Sequence, residues 1–304
     1  MDKRKKNLLV SFSTGETSAK MAKWLKDNKS NEYNMLFAYA NTSREREESL
    51  LFGNKCDKEF GLDLVWIEGV YSMTYGEGTT YKVVDYKTAK RNGEVFEEMI
   101  KAYGLPNVTY KHCTRELKTN PLKKLADDVF GTNNYEIAIG YRVDEVDRVN
   151  KDWKEKRHYY PLITDNPLTK PHVNVFWKNM PFRLNLKGYE GNCKRCLKFT
   201  LRKQLTQIKE EREKGEIDKW CEKMEDKYGD YVPPHREEKR KPLEGKLTFF
   251  RNNLSHKDLV ELSQQNFKTA TDDSVIYDRQ EMLFGFELDK NGDGGCSESC
   301  EPFN

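Results

Sequence analysis

The sequence predicts an α/β chain, a parallel sheet with helices on both faces, joined to a charged and mainly helical C-terminal region. Three observations predict it. Apolar runs at residues 7–12, 35–40, 63–67 and 135–140 alternate with helix-patterned stretches. The first run ends in a turn dense in Ser, Thr and Gly that leads straight into a helical pattern. From about residue 201 the apolar runs give way to closely spaced charge of both signs. The chain therefore divides into residues 1–200, a sheet-bearing part with a cysteine centre, and residues 201–304, an accessory layer with a flexible cysteine-containing tail.

Taken in order, residues 7 to 12 read as a strand, Ser13-Thr14-Gly15-Glu16-Thr17-Ser18 as a turn, and Ala19 to Asp27 as a helix that can bury Met21, Ala22, Trp24 and Leu25. Met35 to Ala40 is a second strand closed by Asn41-Thr42-Ser43. A helix rich in early acids follows, with Glu45, Glu47 and Glu48 ahead of Leu50 and Leu51. Asp63 to Ile67 is a third strand, Pro121 to Phe130 a helix, and Tyr135 to Gly140 a fourth strand. Thr206 to Tyr228, with Ile208, Ile217, Trp220 and Met224 among many charges, reads as an exposed amphipathic helix or helix pair. Val232-Pro233-Pro234-His235 breaks it. Leu247 to Phe250 reads as an edge strand, and Ser255 as the N-cap of a further helix.

Charge and cysteine content bound the chemistry. The 304 residues carry 53 Lys+Arg against 50 Asp+Glu, a net charge of only +3. That balance excludes a protein whose affinity rests on neutralising many phosphates, so any nucleic-acid surface is local. Met1 to Lys6 resembles the basic start of an export signal, but Leu8-Leu9-Val10 is too short an apolar run and Ser11, Ser13 and Gly15 interrupt it. A cytoplasmic chain without a membrane partner is the expectation. Seven cysteines in such a compartment read as thiols or metal ligands, and an odd number argues against a pure disulfide framework.

Two features carry chemistry. A strand running into Ser13–Ser18 and then a helix points hydroxyls and N–H groups at one spot, which suits a phosphate or sulfate; an ordinary capped turn has the same composition. The loop is neither a dinucleotide fingerprint nor a GxxxxGK[ST] loop. The second feature is the pair of clusters Lys111-His112-Cys113-Thr114-Arg115 and Gly191-Asn192-Cys193-Lys194-Arg195-Cys196. Cys-x-x-Cys with a third Cys or a His fits zinc or an iron–sulfur cluster, and buried thiols without a metal are the plain alternative. Cys56 and Cys221 have no partner pattern. Arg142 lies just past the fourth strand, where α/β sheets hold ligands. Asp144, Glu145 and Asp147 beside it are a candidate Mg2+ group or a solvated loop. Lys151, Lys154, Lys156, Arg157 and His158 with Trp153, Tyr159 and Tyr160 are a candidate single-strand nucleic-acid surface or simply solvated charge.

Several of these motifs together resemble one family. Ser13–Ser18 resembles the Ser-Gly-Gly-Lys-Asp-Ser loop of the ATP pyrophosphatases and its relative in the adenylyl-sulfate and phosphoadenylyl-sulfate reductases. Asn41-Thr42-Ser43 with Glu47-Glu48 is similar to their Asp-Thr-Gly and following acids. Cys113-Thr114-Arg115-Glu116-Leu117-Lys118-Thr119-Asn120-Pro121-Leu122 is similar to their Cys-Cys-x-x-Arg-Lys-x-x-Pro-Leu. Gly140-Tyr141-Arg142 resembles their Gly-x-Arg, and Tyr160-Pro161-Leu162 through Gly191-Asn192-Cys193-Lys194-Arg195-Cys196 follows the order that leads to their Gly-Cys-x-x-Cys. Over roughly residues 7 to 200 the chain thus resembles the phosphoadenylyl-sulfate (PAPS) reductase family.

The resemblance implies a PP-loop, adenine nucleotide alpha-hydrolase-like fold that binds ATP or adenylyl sulfate. It implies that Ser13, Thr14, Gly15, Thr17 and Ser18 cradle the anionic group with Gly140, Arg142 and Arg148, and that Asn41 and Thr42 lie near the nucleoside. It implies a 4Fe-4S cluster on Cys113, Cys193 and Cys196, with zinc the alternative and His112, Cys296 or Cys300 as candidate fourth ligands. A tail nucleophile, Cys300 or Cys296, and a thioredoxin-like reductant belong to the reductase reading. An open iron that carries sulfide to a nucleic acid belongs to a sulfur-transfer reading, as in cluster-containing tRNA thiolases. The chain also departs from the family pattern. Glu16 and Thr17 replace the pyrophosphatase Lys and Asp, which removes a cation from the leaving pyrophosphate. His112 replaces the first cysteine of a pair, and Pro302-Phe303-Asn304 does not repeat the family ending. A non-catalytic nucleotide-binding protein with a structural zinc is the third reading.

Overall fold

The computed structural model describes residues 4–74, 76–233 and 245–278. Six strands, β1 (Lys6–Ser11), β2 (Tyr33–Asn41), β3 (Val65–Tyr71), β4 (Thr79–Val84), β5 (Glu136–Ala138) and β6 (His158–Tyr159), form one sheet of order β4-β3-β2-β1-β5-β6. Every neighbouring pair is parallel except β3 and β4. The helices of the first half are α1 (Glu16–Lys29), α2 (Glu47–Phe60), α3 (Glu94–Tyr103), α4 (His112–Thr114) and α5 (Asn120–Phe130). A π-helical turn, Arg115–Thr119, joins α4 to α5. Then come α6 (Pro161–Thr164), α7 (Lys170–Lys178), α8 (Leu201–Glu213), α9 (Trp220–Tyr228) and α10 (His256–Leu262).

The pleat explains why both faces are covered. Successive strand residues point to opposite sides, so Leu8 and Val10 meet α1, α2 and α7 through Met21, Leu25, Phe52 and Trp177. Leu9, with Ala38, Ala40 and Ile67, meets α5 through Leu122, Leu125 and Phe130. A third core is mainly helical: Phe96, Met99 and Ile100 of α3 and Leu117 pack on Leu205, Ile208, Met224, Phe249, Phe250 and Leu259, with Tyr71 of β3 at its edge. The densely charged C-terminal helices therefore cover α3 with an apolar stripe.

Several elements differ from the sequence reading, which also marked no helix at α3 or α7. β4 was not expected, because it pairs antiparallel with β3 at the sheet edge and leaves Thr80, Lys82 and Val83 exposed, without an apolar run to mark it. β6 is a two-residue strand beside β5. Leu247–Phe250 is irregular rather than an edge strand, since Phe249 and Phe250 insert into a helical core with no neighbouring strand to pair with. Ser255 caps α10 as expected: its Oγ accepts from Asp258 N at 3.2 Å, and Asp258 returns a bond to Ser255 N. Among the described residues no helix is long and apolar enough to cross a membrane.

Candidate functional site

β1 has β2 on one side and β5 on the other, so the connections leaving β1 and β5 diverge and open a crevice at the strands' C-terminal ends. The Ser13–Ser18 loop and the Gly140–Arg142 segment occupy that point. They line a cleft of about 150 Å³ together with Leu184, residues 186–193, Cys196, Phe199 and Lys203. The loop is internally braced. Ser18 Oγ accepts from Ser13 N at 3.1 Å and from Ser13 Oγ at 2.9 Å, and donates to Gly15 O at 3.0 Å. Thr14 is fully buried with φ at 58°, and its methyl packs where a Cβ on Gly53 of α2 would stand 2.7 Å away. A Cβ on Gly140 would lie 3.2 Å from Ser18 Cα, so glycine eases the close approach of the segment after β5 to α1.

Most carboxylates of the cleft face an arginine. The Glu16 carboxylate, at the position of the pyrophosphatase lysine, accepts from Arg183 Nε at 2.9 Å and Nη2 at 3.1 Å. Glu145 faces Arg142 at 3.1 Å and also pairs with Arg148, and Glu190 faces Arg46 at 3.5 Å. Arg142 is buried and donates to Thr17 Oγ1 at 3.0 Å while Asp144 accepts from its Nε. Burial opposes its charge, but Glu145 and Asp144 hold it protonated. Arg142 thus positions the loop, whereas Arg148 lies on the Tyr141 ring at 4.4 Å and is not part of the cleft wall. Asp144 and Glu145, the candidate Mg2+ carboxylates, spend their oxygens on these arginines.

Asn41 and Thr42 sit below the surface rather than on the cleft. Asn41 Nδ2 donates to Glu68 Oε1 and Lys90 O at 2.8 Å each, and Thr42 Oγ1 donates to Glu45 Oε1 at 2.9 Å. In the basic stretch, Arg157 is turned back onto Tyr135 O and Asn133 Oδ1. Burial and the nearby Lys123 push the His158 imidazole down to about 4, so it is neutral near pH 7.

The cysteines gather behind the cleft. An antiparallel bridge between Glu45 and Cys193, with Arg46 N donating to Asn192 O at 2.7 Å and Lys194 N to Arg44 O at 2.8 Å, clamps the Cys-x-x-Cys segment to the β2–α2 loop. Arg195 adopts φ of 53° within it, a conformation that costs a non-glycine residue about 1 kcal/mol. Cys193 and Cys196 then line a buried cavity of about 30 Å³ with Cys113, and Cys221 of α9 lines it too. Cys113 stands two residues before the π-helical turn, a distortion that recurs at functional sites. His112 is not in the wall; its Nε2 lies 3.0 Å from Gly104 O. Cys296 and Cys300 lie outside the described residues.

The donors fit a soft metal centre. The cavity wall offers four sulfurs, the cations Arg44, Lys118, Lys194 and Arg195, and no carboxylate or imidazole. Such a set suits zinc or iron–sulfur and is wrong for Mg2+ or Ca2+. Nε and Nη1 of Arg195 and Nε of Arg44 are buried without a hydrogen-bond partner among the described residues. Each such N–H costs about 1–3 kcal/mol unless an acceptor meets it. Among the described residues, no three His, Cys, Asp or Glu side chains are arranged to hold a single metal ion.

Several residues here carry no sequence signal. Arg183 meets Glu16 across 167 positions, and Lys170, Lys187 and Lys203 line the cleft without belonging to a motif. Asn192, next to the cysteines, joins the two halves of the site: its Nδ2 donates to Ser13 O at 2.6 Å and its Oδ1 accepts from Ser49 Oγ at 3.2 Å.

Fold and site define an α/β protein with a cleft at the switch point of a mostly parallel sheet, backed by a cysteine-lined cavity. No protein-family model matches the chain. It is 28% identical over 299 residues to the uncharacterized nin region protein ORF290 of Escherichia phage lambda, an alignment covering 97% of this chain and 94% of that protein.

Proposed function

We propose that this chain is an adenine-nucleotide-binding enzyme of sulfur chemistry on a PP-loop type fold, with a thiolate-held iron–sulfur centre next to the nucleotide. One observation carries the reading: Cys193 and Cys196 line both the switch-point cleft and the cavity to which Cys113 belongs. A ligand in the cleft and a centre in the cavity would share that wall. Ser13, Thr17, Ser18 and the loop N–H groups cradle the phosphate or sulfate, with Lys170 and Lys203 in the same wall. Arg142 keeps Thr17 in place.

Cys113, Cys193 and Cys196 would hold the centre, which when bound supplies redox or sulfide chemistry beside the nucleotide. A cubane holds its thiolates farther apart than zinc, whose sulfurs all lie about 2.3 Å from one point. Glu16 supports sulfonucleotide binding over ATP cleavage. Its carboxylate, held by Arg183, brings no cation to a leaving pyrophosphate.

Calorimetric titration of anaerobically purified protein with ATP, adenylyl sulfate and its 3′-phosphorylated form tests the proposal. One of the three binds at a single site, and Gly15→Val, which crowds Asn192 across the loop, weakens that binding at least tenfold. Failure of all three to bind would remove the nucleotide from the account.

A further inference from the structure

The cavity behind the cleft has a fourth sulfur that no motif marks. Cys221 lies in the first turn of α9, is only 3% exposed, and stands in the same wall as Cys113, Cys193 and Cys196. The side chains that complete the wall are of two kinds. Phe96, Leu117, Leu197, Trp220 and Phe249 exclude water, while Arg44 and Arg195 bring buried guanidinium groups.

We propose that Cys221 is the fourth thiolate of the centre that Cys113, Cys193 and Cys196 hold, so that the centre is closed by four cysteines. The inference rests on the metal-centre reading given above and goes beyond it in ligand number, in chemistry and in the role of the C-terminal helices.

Three observations support it. First, the other candidate inside the described residues, His112, has Nε2 against the Gly104 carbonyl and is absent from the cavity wall. Second, the cations present are those that a net negative, sulfur-ligated centre needs. Arg195 pairs with Glu211 through Nη2 alone, and Arg44 with Asp218 through its own Nη2. That leaves Arg195 Nε and Nη1 and Arg44 Nε as buried donors with no partner among the described residues. Thiolate or sulfide sulfurs in the cavity are acceptors of the kind these donors require, and hydrogen bonds to sulfur are a recurring means of tuning such centres. Third, the wall around Cys221 is fixed from several directions. Arg44 stacks on Trp220 at 4.4 Å, Asp218 Oδ1 accepts from Trp220 N at 3.0 Å, and Phe96 and Phe249 meet the Trp220 ring. α9 therefore presents Cys221 from a rigid frame.

Two consequences follow. The region beyond residue 201 supplies a ligand and so is part of the centre. A centre closed by four thiolates also has no open iron on which to carry sulfide. That makes reduction of a sulfonucleotide, with a dithiol protein supplying the two electrons and leaving as a disulfide, the better chemistry for the cleft than sulfur transfer to a nucleic acid.

The test compares iron, zinc and acid-labile sulfide in anaerobically reconstituted wild-type protein, Cys221→Ser, Cys193→Ser and Cys56→Ser, with circular dichroism to confirm folding. Cys56 is a buried thiol outside the cavity, so its variant controls for the loss of any buried sulfur. Wild type and Cys56→Ser are expected to hold the full centre, Cys193→Ser to lose it, and Cys221→Ser to lose at least half its metal or, after brief air exposure, to show the paramagnetic signal of a three-iron cluster. Wild type resisting that conversion is an independent sign of four ligands and does not depend on any variant folding. A Cys221→Ser protein with wild-type metal content and an unchanged spectrum overturns the inference and leaves the metal centre standing. Wild-type protein that holds neither iron nor zinc overturns both.

Discussion

Glu225 and His256 form the layer behind Cys221, and their burial makes a sharp prediction about pH. Glu225 is buried and accepts from Phe249 N at 2.9 Å and His256 N at 2.8 Å. Burial nevertheless pushes its carboxyl up from 4.5 to about 7, against the lowering effect of those N–H groups. The folded state therefore binds a proton that the unfolded state gives up. This stabilisation is complete below about pH 4.5 and is lost as pH rises through 7. With 1.36 kcal/mol per pKa unit, the loss between pH 5 and pH 8 is about 2.5 kcal/mol. His256 titrates with the opposite sign: burial and Arg195 lower it to about 4, so its contribution is present above about 6.5 and lost as pH falls through 4. His158 behaves in the same way. A wild-type profile mixes these effects, but the difference between Glu225→Gln and wild type isolates the carboxyl. Urea unfolding of both proteins near pH 5 and pH 8 should show the variant gaining about 2.5 kcal/mol relative to wild type across that range, on top of a constant offset for one lost N–H acceptor. A difference that holds constant across the range would refute the reasoning.

Three further outcomes follow from the site. Gly140→Ala places a methyl 3.2 Å from Ser18 Cα, and backbone cannot yield as a side chain would. It should cost about 1–3 kcal/mol in chemical denaturation and weaken nucleotide binding as the loop moves. Asn192→Ala removes the tie between the cysteine segment and Ser13 O, so thermal unfolding should show a loss of about 1–2 kcal/mol and metal should be released faster to a chelator. Ser255→Ala removes the reciprocal cap of α10 and should cost about 1 kcal/mol without changing metal content, which separates folding of the C-terminal layer from its ligand role.

What was legible in the sequence is what local pattern controls. β1, β2, β3 and β5 announce themselves as apolar runs because both sheet faces are buried, and α10 announces itself through Ser255. The placement of the Ser13–Ser18 loop beside Gly140 and Arg142 follows from the strand order, and in the sequence it was implied only by the family resemblance. β4 was not legible, since an exposed antiparallel edge needs no apolar run. Nor was the occupied state of Asn41 and Thr42, which depends on Glu68, Lys90 and Glu45 arriving from elsewhere in the fold. Cys221 sits outside every spacing pattern because it reaches the cavity from α9, a helix whose position is set by packing on α3. Arg183 reaches Glu16 across the sheet's helical face in the same way. Long-range partners of this kind leave no periodic trace.

The most direct test of the central claim is the iron and acid-labile sulfide content of anaerobically purified protein, taken with its visible absorption spectrum. About four irons and four sulfides per chain, with a broad absorption band lost in Cys193→Ser, is the predicted result. One zinc per chain without sulfide would contradict the iron–sulfur centre and make the cavity a structural site beside the cleft.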